Sequence, residues 1–240
     1  MLAIDIGNTN ITLGIFRNGM LAKKAKIATR KYSEYRIRLK RFLANRYIEE
    51  AVVSSVVPDA LARLKKALRK MSDCKILVLG EGINVPIKNL YRKKNEVGQD
   101  RLVSAFAAKE IYGAPAVIVD FGTAITFDIV SKRGEYSGGL ILPGIGISLN
   151  ALYEKTAFLP KVKLKNAPHI IGKDTRSSIR GGILFGFGAM ADGLAAKYKK
   201  ILGKNTKVIA TGGNSRLLKK YATSIEIVDE DLTLKGLNLI

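Results

Sequence analysis

The sequence is nearly devoid of the side chains that bind zinc or form covalent cross-links. Cys74 and His169 are the only cysteine and histidine among 240 residues, and tryptophan is absent. One thiol and one imidazole exclude an internal disulfide and a zinc site built from several such ligands. We also expect no histidine-based catalytic triad, because His169 lies in an apolar loop segment. Any chemistry must therefore depend on carboxylates, hydroxyls, backbone amides, lysine and arginine.

Long apolar runs are missing as well. No run approaches the roughly 18 to 20 residues that a membrane-spanning helix needs. Asp5 interrupts the apolar stretch near the N-terminus, which is not typical of a secretory signal. With 47% hydrophobic and 25% charged residues, the composition is that of a globular protein of one or two domains. We expect a cytoplasmic protein without a membrane partner.

Negative charge is scarce relative to positive charge, and the formal net charge is +21. Such an excess can attract nucleic acid or anionic metabolites. In the basic segment 63–70, however, the cations share a helical pattern with Leu61, Leu64 and Leu68, which indicates a helix with one solvated and one buried face. We therefore expect most cations to lie on solvated surfaces, and we expect no nucleic-acid partner.

The sequence opens with the stretch MLAIDIGNTNITLGIF. An apolar strand ends near Asp5 and an alternating strand resumes at Ile11, so the residues between them form a hairpin turn. The turn combines a carboxylate, small polar side chains and Gly7, which lets the backbone approach a ligand closely. This combination suits a phosphate and its metal ion. The alternative is an ordinary Asx turn.

Residues 115–130, PAVIVDFGTAITFDIV, repeat the opening pattern of strand, acidic glycine turn and strand. Superposing Asp5 on Asp120 aligns Thr12 with Thr126 after a one-residue gap. The two copies lie about half a chain apart. The repeat therefore predicts a duplicated α/β fold, with the ligand in a cleft between the two copies.

The predicted domains are 1–112 and 113–240. Further elements follow from hydrophobic periodicity and from helix start and stop signals. They are strands at 51–57 and 75–80, and helices from Pro58 to about Met71, at 100–113 and at 181–200.

A third glycine turn, TGG at 211–213, also follows an apolar strand. None of the three turns is a Walker A loop or has the G-x-G-x-x-G spacing of a dinucleotide-binding fold. Each turn alone is a weak signal. Together they have the order found in the actin and sugar-kinase ATPases, where two hairpins hold a nucleotide's phosphates and a Gly-Gly turn meets the adenosine.

The segment VGQDRL at 97–102 has two interpretations. Asp100 can cap the helix that follows it, which is the usual role of an aspartate at such a position. In a phosphoryl-transfer site, an aspartate can instead accept the proton of a substrate hydroxyl, while Arg101 holds an anionic group of the substrate.

The chain resembles the type III pantothenate kinases, a family of the actin and sugar-kinase superfamily. The resemblance rests on short fragments spread over essentially the whole chain: DIGNTN at 5–10, SSVVP at 54–58, GQDR at 98–101, DFGTAIT at 120–126, GGLILPG at 138–144, LP at 159–160, GKDT at 172–175, TGG at 211–213 and LTLKGL at 232–237. It implies two duplicated actin-like (ribonuclease H-like) α/β domains with a nucleotide cleft. It further implies ATP-dependent phosphorylation of pantothenate to 4′-phosphopantothenate, with Mg²⁺, a monovalent cation (K⁺ or NH₄⁺) and a homodimer.

The resemblance also implies roles for individual residues. Asp100 would be the proton acceptor, with a low pKa if it also caps its helix. Asp120 would be the ligand of the monovalent cation, and Asp5 would lie near Mg²⁺. The ATP-binding residues would be Asp5, Ile6, Gly7, Asn8, Thr9, Asn10, Ile11, Thr12, Thr123, Gly212 and Gly213. The pantothenate-binding residues would be Tyr91, Gly98, Gln99, Asp100, Arg101 and Thr175, with Arg101 on the substrate carboxylate.

Two other functions remain open at the level of the sequence. One is a basic regulatory protein of the same fold that binds nucleotide or nucleic acid without turnover. The net charge of +21 is consistent with this function. The other is a sugar kinase of the same superfamily, which the short chain disfavours. A pure binding protein would not need the set of Asp5, Asp100, Arg101 and Asp120.

Overall fold

The computed structural model describes residues 1–44, 46–167 and 169–240. The chain divides into two compact units, each described here by itself. The first unit comprises residues 1–107 and 232–240, and the second comprises residues 108–231. The sequence-based division at 112 and 113 differs from this arrangement mainly in the C-terminal residues, which pack with the first unit.

The chain alternates strands and helices. The strands are β1 (Leu2–Ile6), β2 (Asn10–Arg17), β3 (Met20–Ala28), β4 (Glu50–Ser55), β5 (Lys75–Leu79), β6 (Gly82–Ile83), β7 (Ala116–Phe121), β8 (Ala124–Val130), β9 (Tyr136–Pro143), β10 (Lys207–Thr211) and β11 (Ile227–Val228). The helices are α1 (Tyr35–Leu43), α2 (Pro58–Arg69), α3 (Gln99–Tyr112), α4 (Ile145–Glu154), α5 (Thr175–Leu202), α6 (Ser215–Leu218) and α7 (Leu232–Asn238). Short 3-10 turns occur at Tyr32–Glu34 and Lys94–Glu96.

The first unit is built on a six-stranded sheet with the order β3-β2-β1-β4-β5-β6. Strand β1 is antiparallel to β2 and parallel to β4. One face of this sheet buries Leu2, Ile4 and Ile6 against the apolar sides of α1 and α2. Proline at the first position of α2 favours the helix start there.

The second unit repeats this topology in a five-stranded sheet with the order β11-β10-β7-β8-β9. Strand β7 is antiparallel to β8 and parallel to β10, as β1 is to β2 and β4. Asp5 pairs in register with Thr12, and Asp120 with Thr126. The predicted duplication is therefore confirmed down to the residue alignment.

Two elements go beyond the predictions from the sequence: strand β3, for which no element was predicted, and the first residues of helix α5. The basic segment 23–26 lies in the edge strand β3, where Lys24 and Lys26 are exposed. Exposed lysines on an edge strand oppose pairing with other chains. Helix α5 begins at Thr175 rather than 181, because Asp174 and Ser177 form a reciprocal capping box.

Helix α7 was not anticipated from periodicity. Its Leu232, Leu234 and Leu237 are buried, and a Cβ at Gly14 in β2 would lie 3.0 Å from Leu234 Cδ1. These contacts with the first sheet explain why residues 232–240 belong to the first unit. Among all the described residues, no helix has both the length and the apolar character needed to cross a bilayer.

Candidate active site

The first glycine turn is held by hydrogen bonds of its own backbone and of Thr29, the residue that follows β3. Gly7 N–H donates a hydrogen bond to Asn10 O at 3.0 Å, which closes the turn between β1 and β2. Thr29 anchors the same turn twice: its hydroxyl donates to Gly7 O at 2.7 Å and its N–H donates to Thr9 O at 3.0 Å. Asn8, Thr9 and Asn10 themselves are exposed. Hydrogen bonds thus fix the backbone of the turn, while its polar residues are exposed and can meet a ligand.

The carboxyl ends of β1 and β4 meet at one edge of the first sheet, and α3 begins beside them. Val56 N–H, just beyond β4, donates to Ile6 O at 3.0 Å. A Cβ at Gly98 would lie 3.6 Å from Val56 Cγ1 and within van der Waals overlap of Asp100 Oδ1. Gly98 therefore leaves the room in which the Asp100 carboxylate lies. In a sheet with parallel strands, this edge is where ligands ordinarily bind.

Asp100 is the second residue of α3, not its cap. Its Oδ1 accepts the N–H of Arg101 at 2.9 Å. Burial raises the pKa of the Asp100 carboxyl, against the opposing effects of the Arg101 N–H and guanidinium. The expected low pKa is therefore wrong: desolvation outweighs the favourable position at the helix start. A carboxylate with a raised pKa is the better proton acceptor.

The rest of the segment 98–101 is fixed by packing. The Gln99 side chain lies against Gly80 at the end of β5, with Nε2 3.4 Å from the position of a Cβ there. The φ of +83° at Gly80 is one that glycine adopts without strain. Arg101 is 9% exposed. The first unit thus brings Asp5, the turn that follows it, and the segment 98–101 to the same edge of the sheet.

Tyr91 and Thr175 lie away from these clusters in the chain. Tyr91 is half-buried between β6 and the 3-10 turn at Lys94–Glu96, and its N–H donates to Asn89 Oδ1 at 2.9 Å. Thr175 is the exposed first residue of α5, in the second unit. Their assignment to the substrate rests on the sequence motifs in which they lie.

The second glycine turn has its own support. Gly144, at the start of α4, donates its N–H to Thr123 O at 3.1 Å. A Cβ at Gly144 would overlap Thr123 O and lie 2.6 Å from Gly122 O. The backbone of Gly144 therefore packs directly on the Gly122–Thr123 turn.

The third glycine turn closes around Asp120. Gly212, with a φ of +86°, lies so close that a Cβ there would overlap Asp120 Oδ1 and lie 2.8 Å from the carbonyl carbon of Phe121. The backbone N–H and the side-chain amide of Asn214 both donate to Phe121 O, each at 3.3 Å. The second unit thus joins the predicted Asp120, Thr123 and Gly212 into one cluster.

These two clusters fit the ions that the resemblance implies. No group of three or more His, Cys, Asp or Glu that could hold a metal occurs among the described residues. Kinases usually bind Mg²⁺ through one or two carboxylates together with the substrate's phosphates, so Asp5 beside a phosphate-type turn suffices. Glycine at positions 122 and 212 leaves the space that the Asp120 carboxylate occupies, since a Cβ at either position would lie within 3.2 Å of Asp120 Oδ1. A carboxylate oxygen held in this way is a suitable ligand for a monovalent cation.

Sequence reasoning missed three supporting residues: Thr29, Gly144 and Asn214. Gly144 belongs to the motif GGLILPG, but its role is visible only when β9 returns beside β8. Asn214 directly follows the Gly-Gly turn, where a side-chain amide is a common partner of turn carbonyls. Thr29 has no local signal, because its partners Gly7 and Thr9 lie just before the start of the neighbouring strand β2.

Comparisons with known proteins agree with this picture. A family model described as type III pantothenate kinase matches residues 1–197. A protein of Anaeromyxobacter dehalogenans (strain 2CP-C) named type III pantothenate kinase is 42% identical over 248 positions, covering 100% of this chain and 98% of that protein.

Among solved structures, one from Campylobacter jejuni assigned to the Baf family of transcriptional activators has a TM-score of 0.61 at 23% identity, covering 100% of this chain and 96% of the other. An inorganic polyphosphate/ATP-glucomannokinase from Arthrobacter sp. strain KM has a TM-score of 0.52 at 16% identity, with coverage of 100% and 96%. At these identities the two structures bear on the fold alone. They agree with the predicted two-domain, actin-like α/β fold.

Proposed function

Because the chain belongs to the type III pantothenate kinase family and thus phosphorylates pantothenate with ATP in coenzyme A biosynthesis, we propose that Asp100 is its proton acceptor. The observation that carries this proposal is the position of Asp100, a carboxylate with a burial-raised pKa at the edge of the sheet that also bears the Asp5 turn. The product is 4′-phosphopantothenate, formed at the primary hydroxyl of the substrate.

The proposed mechanism assigns each step to a group of this chain. Asp100 orients the pantothenate hydroxyl and takes up its proton, while Arg101 holds the substrate carboxylate by a charge-assisted contact. The turn from Asp5 to Thr12 binds phosphate oxygens through backbone amides and small polar side chains. Thr123, Gly212 and Gly213 contact the nucleotide. When bound, Mg²⁺ at Asp5 and K⁺ or NH₄⁺ at Asp120 would neutralise phosphate charge.

The proposal extends to substrate contacts, assembly and location. Tyr91, Gly98, Gln99 and Thr175 are assigned to pantothenate by their match to the family motifs. A homodimer is supported by strongly exposed apolar side chains in the second unit, such as Ile141 (64%), Phe158 (95%) and Ile171 (74%), since large exposed apolar groups often mark interfaces. We place the enzyme in the cytoplasm, where its substrate ATP is made.

The direct test is ADP release by the purified protein with ATP and Mg²⁺, with and without pantothenate, in K⁺ buffer and in Na⁺ buffer. We expect turnover that requires pantothenate and is stimulated by K⁺. The Asp120→Ala variant should lose the stimulation, because it lacks the cation's carboxylate. Equal stimulation in this variant would contradict the assignment of Asp120, and the absence of pantothenate-dependent turnover would contradict the function.

The raised pKa of Asp100 predicts an unusual pH profile. A proton acceptor must be ionised, so activity falls when the pH falls through the pKa of the carboxyl. Because burial raises this pKa in the free enzyme, the acidic limb of kcat/KM for pantothenate should lie above the pH of about 3.9 at which an ordinary aspartate titrates. The measurement is kcat/KM for pantothenate between pH 4 and 8. The residual activity of Asp100→Asn should lack this limb; a limb that persists there would belong to another group.

The regulatory alternative is not favoured. The full-length relative is named as a kinase, whereas the structure assigned to a family of transcriptional activators is only 23% identical and speaks for the fold alone. The basic helix α2 buries Leu61, Leu64 and Leu68 and exposes Arg63, Lys66 and Arg69. That is the solvated face that the sequence predicted, and it gives no reason to add a nucleic-acid partner.

A further inference from the structure

Two adjacent serines at the end of β4 differ in their hydrogen bonding. The hydroxyl of Ser55 donates to Val57 O at 3.3 Å and accepts the N–H of Val57 at 3.1 Å. Ser54 is 0% exposed, and its hydroxyl has no hydrogen-bond partner among the described residues. A buried hydroxyl without a partner is uncommon, because it has lost its hydrogen bonds with water without replacement.

Ser54 lies in register with Asp5 in the parallel pair of β4 and β1. Neighbouring strands are about 4.8 Å apart, and register partners in a parallel pair project from the same face of the sheet. Two residues further on, Val56 lies close to Gly98, which adjoins the Asp100 carboxylate. Ser54 is therefore next to Asp5, the proposed Mg²⁺ ligand. It also lies on β4, whose carboxyl end is close to the segment that contains Asp100, the proposed proton acceptor.

The second sheet repeats this arrangement. Thr211 of β10 is the register partner of Asp120, as Ser54 is of Asp5. Thr211 is also buried, at 2% exposure. Each turn aspartate thus has a buried hydroxyl residue on the parallel strand beside it, although most other positions of these strands are aliphatic.

We propose that Ser54 is a positioning residue for Asp5, whose carboxylate accepts a hydrogen bond from the Ser54 hydroxyl while Asp5 holds Mg²⁺ and ATP. Because the hydroxyl is sealed from solvent, bulk water is not its partner, and Asp5 is the carboxylate that the register places beside it. Hydrogen bonds from such supporting residues fix the orientation of a metal ligand. This inference rests on the proposed role of Asp5.

The experiment compares Ser54→Ala with Ser55→Ala as the matched control. For Ser54→Ala we expect the Mg²⁺ concentration at half-maximal rate to rise about tenfold, with an unchanged KM for pantothenate. The increase in melting temperature on adding Mg²⁺ and ATP should shrink, whereas the melting temperature without ligand should not fall. Ser55→Ala should lower the melting temperature without ligand and keep the normal Mg²⁺ requirement. Ser54→Thr, which retains a hydroxyl as at Thr211, should restore the Mg²⁺ requirement towards that of the wild type.

Asp5→Asn separates the two ways in which the inference can fail. If Asp5→Asn raises the Mg²⁺ requirement and Ser54→Ala does not, Asp5 keeps its proposed role and the inference about Ser54 is overturned. If neither variant changes the Mg²⁺ requirement, the role of Asp5 is wrong and the inference falls with it. A loss of melting temperature without ligand in Ser54→Ala, with a normal Mg²⁺ requirement, would show a purely structural serine.

Discussion

Asp100→Asn is expected to lower kcat by about 10² to 10⁴-fold, the usual contribution of a general base. The amide keeps the shape of the side chain but cannot accept the substrate proton. ATP affinity should change little, because the phosphate-binding turn lies on β1 and β2 and is held by Thr29. The measurement is steady-state kinetics for both substrates, together with ATP affinity by calorimetry.

Asp59 provides a matched control for this variant. It is also the second residue of a helix, α2, but it is exposed. Asp59→Asn removes the same charge at the same helical position, so it should leave kcat unchanged. Near-normal turnover in Asp100→Asn would remove the proposed base. An equal loss in both variants would point to a general effect of charge at helix starts.

Gly144→Ala should disturb the second glycine turn and lower the stability of the protein. The added Cβ would overlap Thr123 O and lie 2.6 Å from Gly122 O, and both are backbone atoms that cannot rotate away. Overpacking of this kind costs about 1 to 3 kcal/mol of the free energy of unfolding. If the turn changes its conformation instead, Thr123 moves away from its position for ATP. A loss of about 1.4 kcal/mol of binding free energy would then weaken ATP binding tenfold.

Gly146→Ala, two residues further along α4, serves as the control. A Cβ at Gly146 would meet no atom within 4 Å, and alanine favours the helix by about 1 kcal/mol over glycine. We expect equal or higher thermal stability and unchanged ATP affinity for this variant. Thermal unfolding and ATP titration of both proteins decide the matter: if Gly144→Ala behaves like Gly146→Ala, the turn does not depend on close packing by α4.

The sequence predicted the local pieces of the fold well because their signals are local. Apolar residues, an Asp-x-Gly turn and then alternating apolar and polar residues identify a hairpin within 16 positions. The same pattern around Asp120 identifies a second hairpin. Pro58 and the leucine spacing behind it identify α2 in the same way. Helix α7 escaped prediction, since the burial of Leu234 depends on partners elsewhere in the chain. Strand β3 was missed although its signal is local, because it pairs with β2 across the two-residue turn Asn18-Gly19.

By itself, the sequence determined which chemistry is available and where the two aspartate turns lie. With one cysteine and one histidine, only carboxylates, hydroxyls, amides and cations remain, and the family motifs give these groups an order. The tertiary structure alone decided how those groups behave. It removed part of the Asp100 carboxyl from solvent and so raised its pKa, it packed Gly144 on Thr123, and it placed Ser54 beside Asp5. Desolvation and register depend on segments that are distant in sequence, so no local pattern of residues could predict them.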